Sequence, residues 1–190
     1  MASVDERARL FVALELPQEA RDALVAWRAR AVDLVEAVRL VPAKYLHVTL
    51  CFLGWRWSSE VEAIGTACAT VGDGGTVELG LGEPVALPRG RPRALAVSLE
   101  DLGGGLGVLQ AALSDALTAG GWYEPEERPF FGHVTVARAG RRARIPRGAL
   151  TAPPPPRLRF IASCVVLYRS RLHAEGASYE AIARVALRPG

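Results

Sequence analysis

One tripeptide occurs twice in this chain, as His47-Val48-Thr49 and as His133-Val134-Thr135, 86 residues apart. With 3 histidines and 7 threonines among 190 residues, chance puts a threonine two places after a given histidine about 4% of the time (7/190). Two such hits among three histidines come up on the order of 0.4% of the time, and a shared middle valine makes the coincidence rarer. Each copy lies in an apolar, β-rich run: Leu46-His47-Val48-Thr49-Leu50-Cys51-Phe52-Leu53 and His133-Val134-Thr135-Val136-Ala137. Alternate side chains of a strand share a face, so His and Thr point one way and the apolar residues between them the other. The fold must therefore hold two strands, each with an imidazole and a hydroxyl on one side. Facing one cleft, they make a symmetric site for a phosphate.

The length suits one domain over residues 1–190, or two small lobes sharing a core. Half the residues are hydrophobic and 23% are charged, enough for a buried core in a globular protein. No apolar run reaches the length of a membrane span, and the first residues, Met-Ala-Ser-Val-Asp-Glu-Arg, lack a signal peptide's pattern, so a cytoplasmic location is expected. Cys51, Cys68 and Cys164 form no C-x-x-C pair, which points to neither a disulfide framework nor a zinc site. The net charge of +3 is carried almost wholly by arginine, Lys44 being the one lysine. That balance permits an RNA partner without requiring one.

Along the chain, residues 9–16 read as a first strand stopped by Pro17. Ala20, Leu24, Trp27, Ala31, Leu34, Val35 and Val38 recur at helical spacing and predict one long amphipathic helix. The first motif strand is expected over about 46–53. A second helix begins near Ser59, where Ser59 and Glu62 fit a capping box, with Val61, Ile64, Cys68 and Val71 on its buried face. Strands are expected near 76–80, 84–87 and 93–99, and a third helix over about 106–118, ended by Gly120-Gly121. The second motif strand follows. Arg141-Arg142-Ala143-Arg144 and Pro153-Pro154-Pro155-Pro156 bracket an extended, exposed loop, and strands near 158–168 and 178–187 close the chain. Each half thus contains a helix followed by a motif strand, and the hairpin-like strand pairs favour an α+β fold.

Two imidazoles titrating near neutrality can divide acid and base roles. Opening a cyclic phosphate needs that division: one activates water, the other protonates the departing ribose oxygen, and hydroxyl donors steady the phosphate oxygens. His47 and His133 fit the first pair of roles, and Thr49 and Thr135 the last. No metal is required. The rival reading for either motif alone is a core histidine in a good strand-forming sequence. His173-Ala174-Glu175 lacks the P-C-x-x-C that a deaminase needs and reads as a loop. Gly103-Gly104-Gly105-Leu106-Gly107 fits no phosphate-loop pattern and reads as a helix-entry turn. G-x-S-x-G and H-E-x-x-H are absent. Arg138 ends the second motif strand, but strict alternation puts it on the face opposite His133; it reaches the site only across a twist or bulge.

With both motifs in view the chain resembles the two-histidine (2H) phosphoesterases, in particular the RNA 2′,3′-cyclic phosphodiesterase branch, historically called 2′-5′ RNA ligases. The resemblance runs through Arg9-Leu10-Phe11-Val12-Ala13-Leu14-Glu15-Leu16-Pro17, the two motif segments from Leu46 to Gly54 and from Gly132 to Arg138, Leu167-Tyr168-Arg169-Ser170, and Gly176-Ala177-Ser178-Tyr179. It implies a bilobal α+β fold, with two antiparallel sheets facing a central groove and helices outside. It implies metal- and cofactor-free opening of a 2′,3′-cyclic phosphate to a 2′-phosphomonoester, and reverse joining of RNA ends. The implied partner is RNA with a cyclic phosphate terminus, tRNA fragments included, or a cyclic nucleotide, met by a monomeric enzyme. His47 is implied as the general acid and His133 as the water-activating base, an assignment that the residues alone leave reversible. Thr49, Thr135 and Arg138 are implied at the phosphate, and Phe11 and Tyr179 beside the groove, where base stacking competes with core packing. Two rival functions stand beside this one: a 2H esterase for small cyclic nucleotides or ADP-ribose-type cyclic phosphates, and a non-catalytic RNA-end binder. Gly132, where the family has proline, is expected to loosen the second motif strand. Leu95-Ala96-Val97, where many members carry tryptophan, is expected to alter base contacts.

Overall fold

A computed structural model describes residues 6–31, 38–140, 143, 145, 153–174 and 176–189. Among them the order is β1 (Arg7–Glu15), α1 (Gln18–Ala31), β2 (Val38–Leu40), β3 (His47–Trp57), α2 (Val61–Ala69), β4 (Val77–Leu87), β5 (Ala94–Asp101), α3 (Gly105–Ala119), β6 (His133–Ala139), β7 (Arg159–Ala162), β8 (Cys164–His173) and β9 (Gly176–Ala186). The strands run β7-β4-β5-β6-β3-β1-β8-β9 across one hydrogen-bonded path, with β2 added beside β6. The halves mirror each other. β1–α1–β3 and β5–α3–β6 each deliver a helix and then a motif strand lying next to the strand before the helix. β3 and β6 meet at a single pair, Val48↔Val134, so the two sheets implied by the resemblance are joined at one point.

Alternation explains which face is buried. On β1, Ala8, Leu10, Val12 and Leu14 enter the core; on β5, Leu95 and Val97; on the motif strands, Val48 and Val134. The helices cover this face with positions at helical spacing: Ala20, Leu24, Trp27 and Ala31 of α1, Ile64 and Cys68 of α2, and Leu106, Leu109, Leu113 and Leu117 of α3. The opposite face is left open. α3 starts where the Asp101 carboxylate accepts the N–H groups of Leu106 (3.1 Å) and Gly107 (3.0 Å), so the glycine-rich stretch is a capped helix entry with those donors already used. The helix ends at Ala119, and Gly121 beyond it, with a φ of 75°, turns the chain back so that Trp122 N–H reaches Leu117 O.

Several expected boundaries move. α1 stops at Ala31, and Val38 begins β2, paired with Ala139; Leu34 and Val35 lie outside the described residues. A strand of three residues is too short to overrule a helical apolar period in sequence. α2 begins at Val61 after a short 3-10 turn over Ser58–Glu60, in which the Glu60 carboxylate accepts Trp57 N–H (2.7 Å). The two strands expected over 76–87 form one, because a register slip between Leu81 and Pro84 absorbs the irregular stretch. The run 158–168 divides at Ser163 into β7, which pairs with β4, and β8, which pairs with β1. Arg141, Arg142 and Arg144 lie outside the described residues. In the proline run, Pro155 is buried and Pro153 O accepts the Trp27 indole N–H at 2.8 Å.

The loosening expected from Gly132 is not seen: β6 starts directly after it, and Gly132 O accepts Leu99 N–H at 2.9 Å. A Cβ at position 132 would lie 2.6 Å from Leu106 Cδ2 in the core. Gly132→Ala should therefore cost about 1–3 kcal/mol in urea unfolding. A double-mutant cycle with Leu106→Ala should return a favourable coupling if that contact is the cause.

Candidate active site

Antiparallel pairing of Val48 with Val134 determines the rest of the site. One step to either side of this pair, the register sets His47 against Thr135 and Thr49 against His133. Opposed residues in a ladder share a face. Both valines have no solvent exposure, so all four polar side chains point to the helix-free face. Each threonine also has an alanine across from it on its other neighbour, Ala13↔Thr49 on β1 and Ala96↔Thr135 on β5. These small residues keep the floor of the groove low.

Beyond each threonine the strand bulges. On β3 the register slips at Leu50, and on β6 at Val136. Leu50 with Cys51, and Val136 with Ala137, are consecutive buried residues, which alternation alone forbids. The phase therefore inverts, and Phe52 and Arg138, each three residues past its threonine, emerge on the groove face. This is the bulge that Arg138 needed. The bulge is held from the core: Val136 O accepts Val41 N–H (2.9 Å) and the guanidinium of Arg28 (3.3 Å), and Arg28 also donates to Val41 O. Arg28 is 7% exposed and spent on backbone, which no sequence pattern had marked.

The histidines are held alike. His47 Nδ1 lies 2.7 Å from Tyr45 O and His133 Nδ1 lies 2.7 Å from Phe131 O. A carbonyl only accepts, so Nδ1 carries the proton and Nε2 is left as the free nitrogen in each neutral ring. His47 Nε2 accepts the Thr49 hydroxyl at 3.1 Å. Their surroundings differ. His47 sits among Phe11 (5.0 Å between centroids), Tyr168 (6.1 Å) and Tyr179 (5.4 Å), whereas among the described residues His133 stacks on the half-exposed Phe131 alone (5.6 Å, 22°). Burial lowers the His47 pKa to about 4, with the charges of Arg138 and His133 adding to the effect against the Tyr45 carbonyl, which raises it. His47 is therefore neutral at pH 7 in the free site. Burial pushes the Cys51 thiol, on the same strand, up to about 12, so it is no nucleophile.

Phe11, for which base stacking competes with core packing, is 4% exposed and stacked on Tyr168 at 5.2 Å, which favours packing. It backs the His47 ring and has no free face for a base. Tyr179 is partly exposed and packs against Tyr45 at 4.9 Å. Together with Arg39, Arg138 and Ser178 it lines a cavity of about 260 Å³. His173 belongs there too: it ends β8 rather than sitting in a loop, with Nε2 2.8 Å from Ser178 Oγ. On the other side of the crossing, Thr49, Phe52, Arg128, Phe131 and His133 line a cavity of about 490 Å³. Leu95 and Val97 are buried in the core, and Ala96 alone of that trio faces the groove. Among the described residues no group of three or more His, Cys, Asp and Glu is placed to hold a metal, and no helix is long and apolar enough to cross a membrane.

The chain is 30% identical over 154 residues to the RNA 2′,3′-cyclic phosphodiesterase of Escherichia coli, covering 80% of each protein. It is 32% identical over 190 residues to the RNA 2′,3′-cyclic phosphodiesterase of Thermus thermophilus, covering 95% of this chain and 90% of that one. Among solved structures it is similar to TT0787 of Thermus thermophilus, with a TM-score of 0.81, 28% identity and coverage of 95% and 98%. It is also similar to E. coli LigT complexed with 3′-AMP, with a TM-score of 0.78, 28% identity and coverage of 96% and 99%. No protein-family model matches the sequence. Fold and relatives together make this a 2H phosphoesterase. Within that class, the chain belongs to the RNA 2′,3′-cyclic phosphodiesterase family.

Arg28 gives a direct test of how the bulge serves the site. Arg28→Met removes the donors to Val136 O and Val41 O while keeping most of the apolar stem. It should cost about 1–3 kcal/mol in urea unfolding and raise KM for an anionic substrate more than it lowers kcat.

Proposed function

We propose that this protein opens 2′,3′-cyclic phosphates at RNA ends to 2′-phosphomonoesters, with the phosphate seated over the Val48–Val134 crossing. The observation that carries this reading is that crossing: one buried pair puts two complete His/Thr sets on one face, each histidine with Nε2 unspent on backbone. The names of the relatives and the binding of 3′-AMP by LigT support it. Thr49, Thr135 and Arg138 donate hydrogen bonds to the non-bridging oxygens, where charge grows as water adds. Water attacks phosphorus, His133 Nε2 takes its proton, and the P–O3′ bond breaks as His47 Nε2–H gives a proton to the departing 3′ oxygen. The product keeps phosphate on O2′. With an RNA 5′-hydroxyl in place of the water and a 2′-5′ diester in place of the monoester, the same groups run the joining reaction. No step calls on a metal or cofactor.

In this assignment the acid, His47, begins neutral and must gain its proton with the substrate. The anion supplies the means: burial is the main cause that holds the His47 pKa down, and a phosphate beside the ring gives the buried cation a counter-charge that also offsets Arg138 and His133. The imidazolium then also becomes a donor to the phosphate.

Two outcomes follow. A cyclic-phosphate-ended RNA should be hydrolysed in EDTA to a 2′-phosphate, and His47→Ala and His133→Ala should each lose about 10²–10⁴-fold in kcat. Unimpaired turnover in either variant, or product bearing a 3′-phosphate, would sink the mechanism. Calorimetry of 2′-nucleotide binding at pH 6–7, in buffers of different ionisation enthalpy, should show proton uptake that vanishes in His47→Ala. Binding without uptake would move His47 to the base role.

A further inference from the structure

Both bulges on β3 preserve one face for the aromatic residues that follow the motif. The register pairs Glu15 with His47, Ala13 with Thr49, Phe11 with Phe52, Arg9 with Trp55 and Arg7 with Trp57. The slips at Leu50 and Leu53 send Leu50, Cys51 and Leu53 into the core, and Gly54 permits the second slip with a φ of 71°. Without them Phe52 would point into the core. With them His47, Thr49, Phe52, Trp55 and Trp57 all lie on the groove face, in a row.

That row is neither buried nor neutral. Phe52, Trp55 and Trp57 are 45%, 54% and 46% exposed. The Arg9 guanidinium lies over the Phe52 ring at 4.5 Å and the Arg7 guanidinium over the Trp57 ring at 4.8 Å. Arg9 is steadied by Ser170 Oγ (3.1 Å) and Arg7 reaches Trp55 O (3.4 Å), and neither is in an ion pair among the described residues. The far end is pinned, because Ser58 N–H and Oγ both donate to Glu6 O (2.7 and 2.6 Å) and Glu60 holds Trp57 N–H. Exposed rings on a fixed backbone, alternating with guanidinium groups that form no ion pair among the described residues, cost solubility and do nothing for the core.

We infer that Arg7, Arg9, Phe52, Trp55 and Trp57 form a stacking track for single-stranded RNA, holding the nucleotides 5′ to the cyclic phosphate end. This rests on the function proposed above and names the substrate as an oligonucleotide in preference to a mononucleotide. Aromatic faces interleaved with arginine are what a sequence-tolerant single-strand site needs: rings take the bases and guanidinium groups take the phosphates. An apolar protein partner would leave the two arginines desolvated, whereas RNA brings a counter-charge for each. From Thr49 to Trp57 the strand covers about 20 Å once the two bulge residues are discounted, room for about three nucleotides.

The test compares a nucleoside 2′,3′-cyclic monophosphate with a five-nucleotide RNA ending in the same group. Wild type should show a KM for the oligomer at least tenfold lower. Trp55→Ala/Trp57→Ala should raise the oligomer KM about tenfold or more, leave mononucleotide kcat/KM within about twofold, and be rescued by Trp55→Phe/Trp57→Phe. Arg7→Gln should weaken oligomer binding and flatten its salt dependence. The inference is overturned if the alanine variant treats both substrates as wild type does, or loses both equally. Anisotropy of a labelled oligomer ending in a 2′-phosphate keeps the two readings apart. If wild type turns over neither substrate, the function falls, and loss of oligomer binding in the alanine variant still judges the track.

Discussion

Everything at this site hangs on the contact between Val48 and Val134. Two sheets, each completed by its own helix, touch through one antiparallel pair, and that pair lies in the middle of both motifs. The two valines are fully buried, so the hydrophobic effect that closes the core also sets which way the four polar neighbours point. Shifting either strand by one residue would turn its histidine and threonine into the core and its valine into the groove. Folding energy and site geometry are thus the same choice of register.

Symmetry ends where the two lobes surround their histidines. His47 is enclosed by the rings of β1, β8 and β9, while His133 rests on one half-exposed phenylalanine. Burial makes a charge on the enclosed ring costly, and the positive charges of Arg138 and His133 increase that cost. Under the mechanism proposed here, an empty site with a neutral imidazole becomes a loaded site with an imidazolium once an anion arrives. The aromatic cage thus makes substrate binding and acid formation one event under the mechanism proposed here.

Much of this was legible in sequence. The motif strands, the helices before them and the α+β class follow from alternation and helical period, which are local properties. Asp101 capping α3 bears out the reading of the glycine-rich stretch as a helix entry. Strict alternation means that Arg138 needs a bulge to reach the groove, and one is there at Val136. Where the reading failed, distance along the chain was the cause. Val38 looked helical because its partner, Ala139, lies 101 positions further along the chain (139 − 38). For Phe11, placed beside the groove by resemblance with stacking and packing both open, the choice fell to Tyr168, from the far end of the chain, which covers its ring. Arg28 carried no signal, since its role depends on where Val136 O ends up.

By itself, then, the sequence determined which groups are candidates for the chemistry and that each imidazole shares a strand face with a hydroxyl, because a period of two is enforced by neighbouring residues. Only the tertiary structure decided that the two strands meet valine to valine, that bulges bring Phe52 and Arg138 onto the groove, that His47 is neutral, and that a row of rings continues from the site. Those outcomes depend on packing between segments far apart in sequence, where burial of one face selects the register and no local rule reaches.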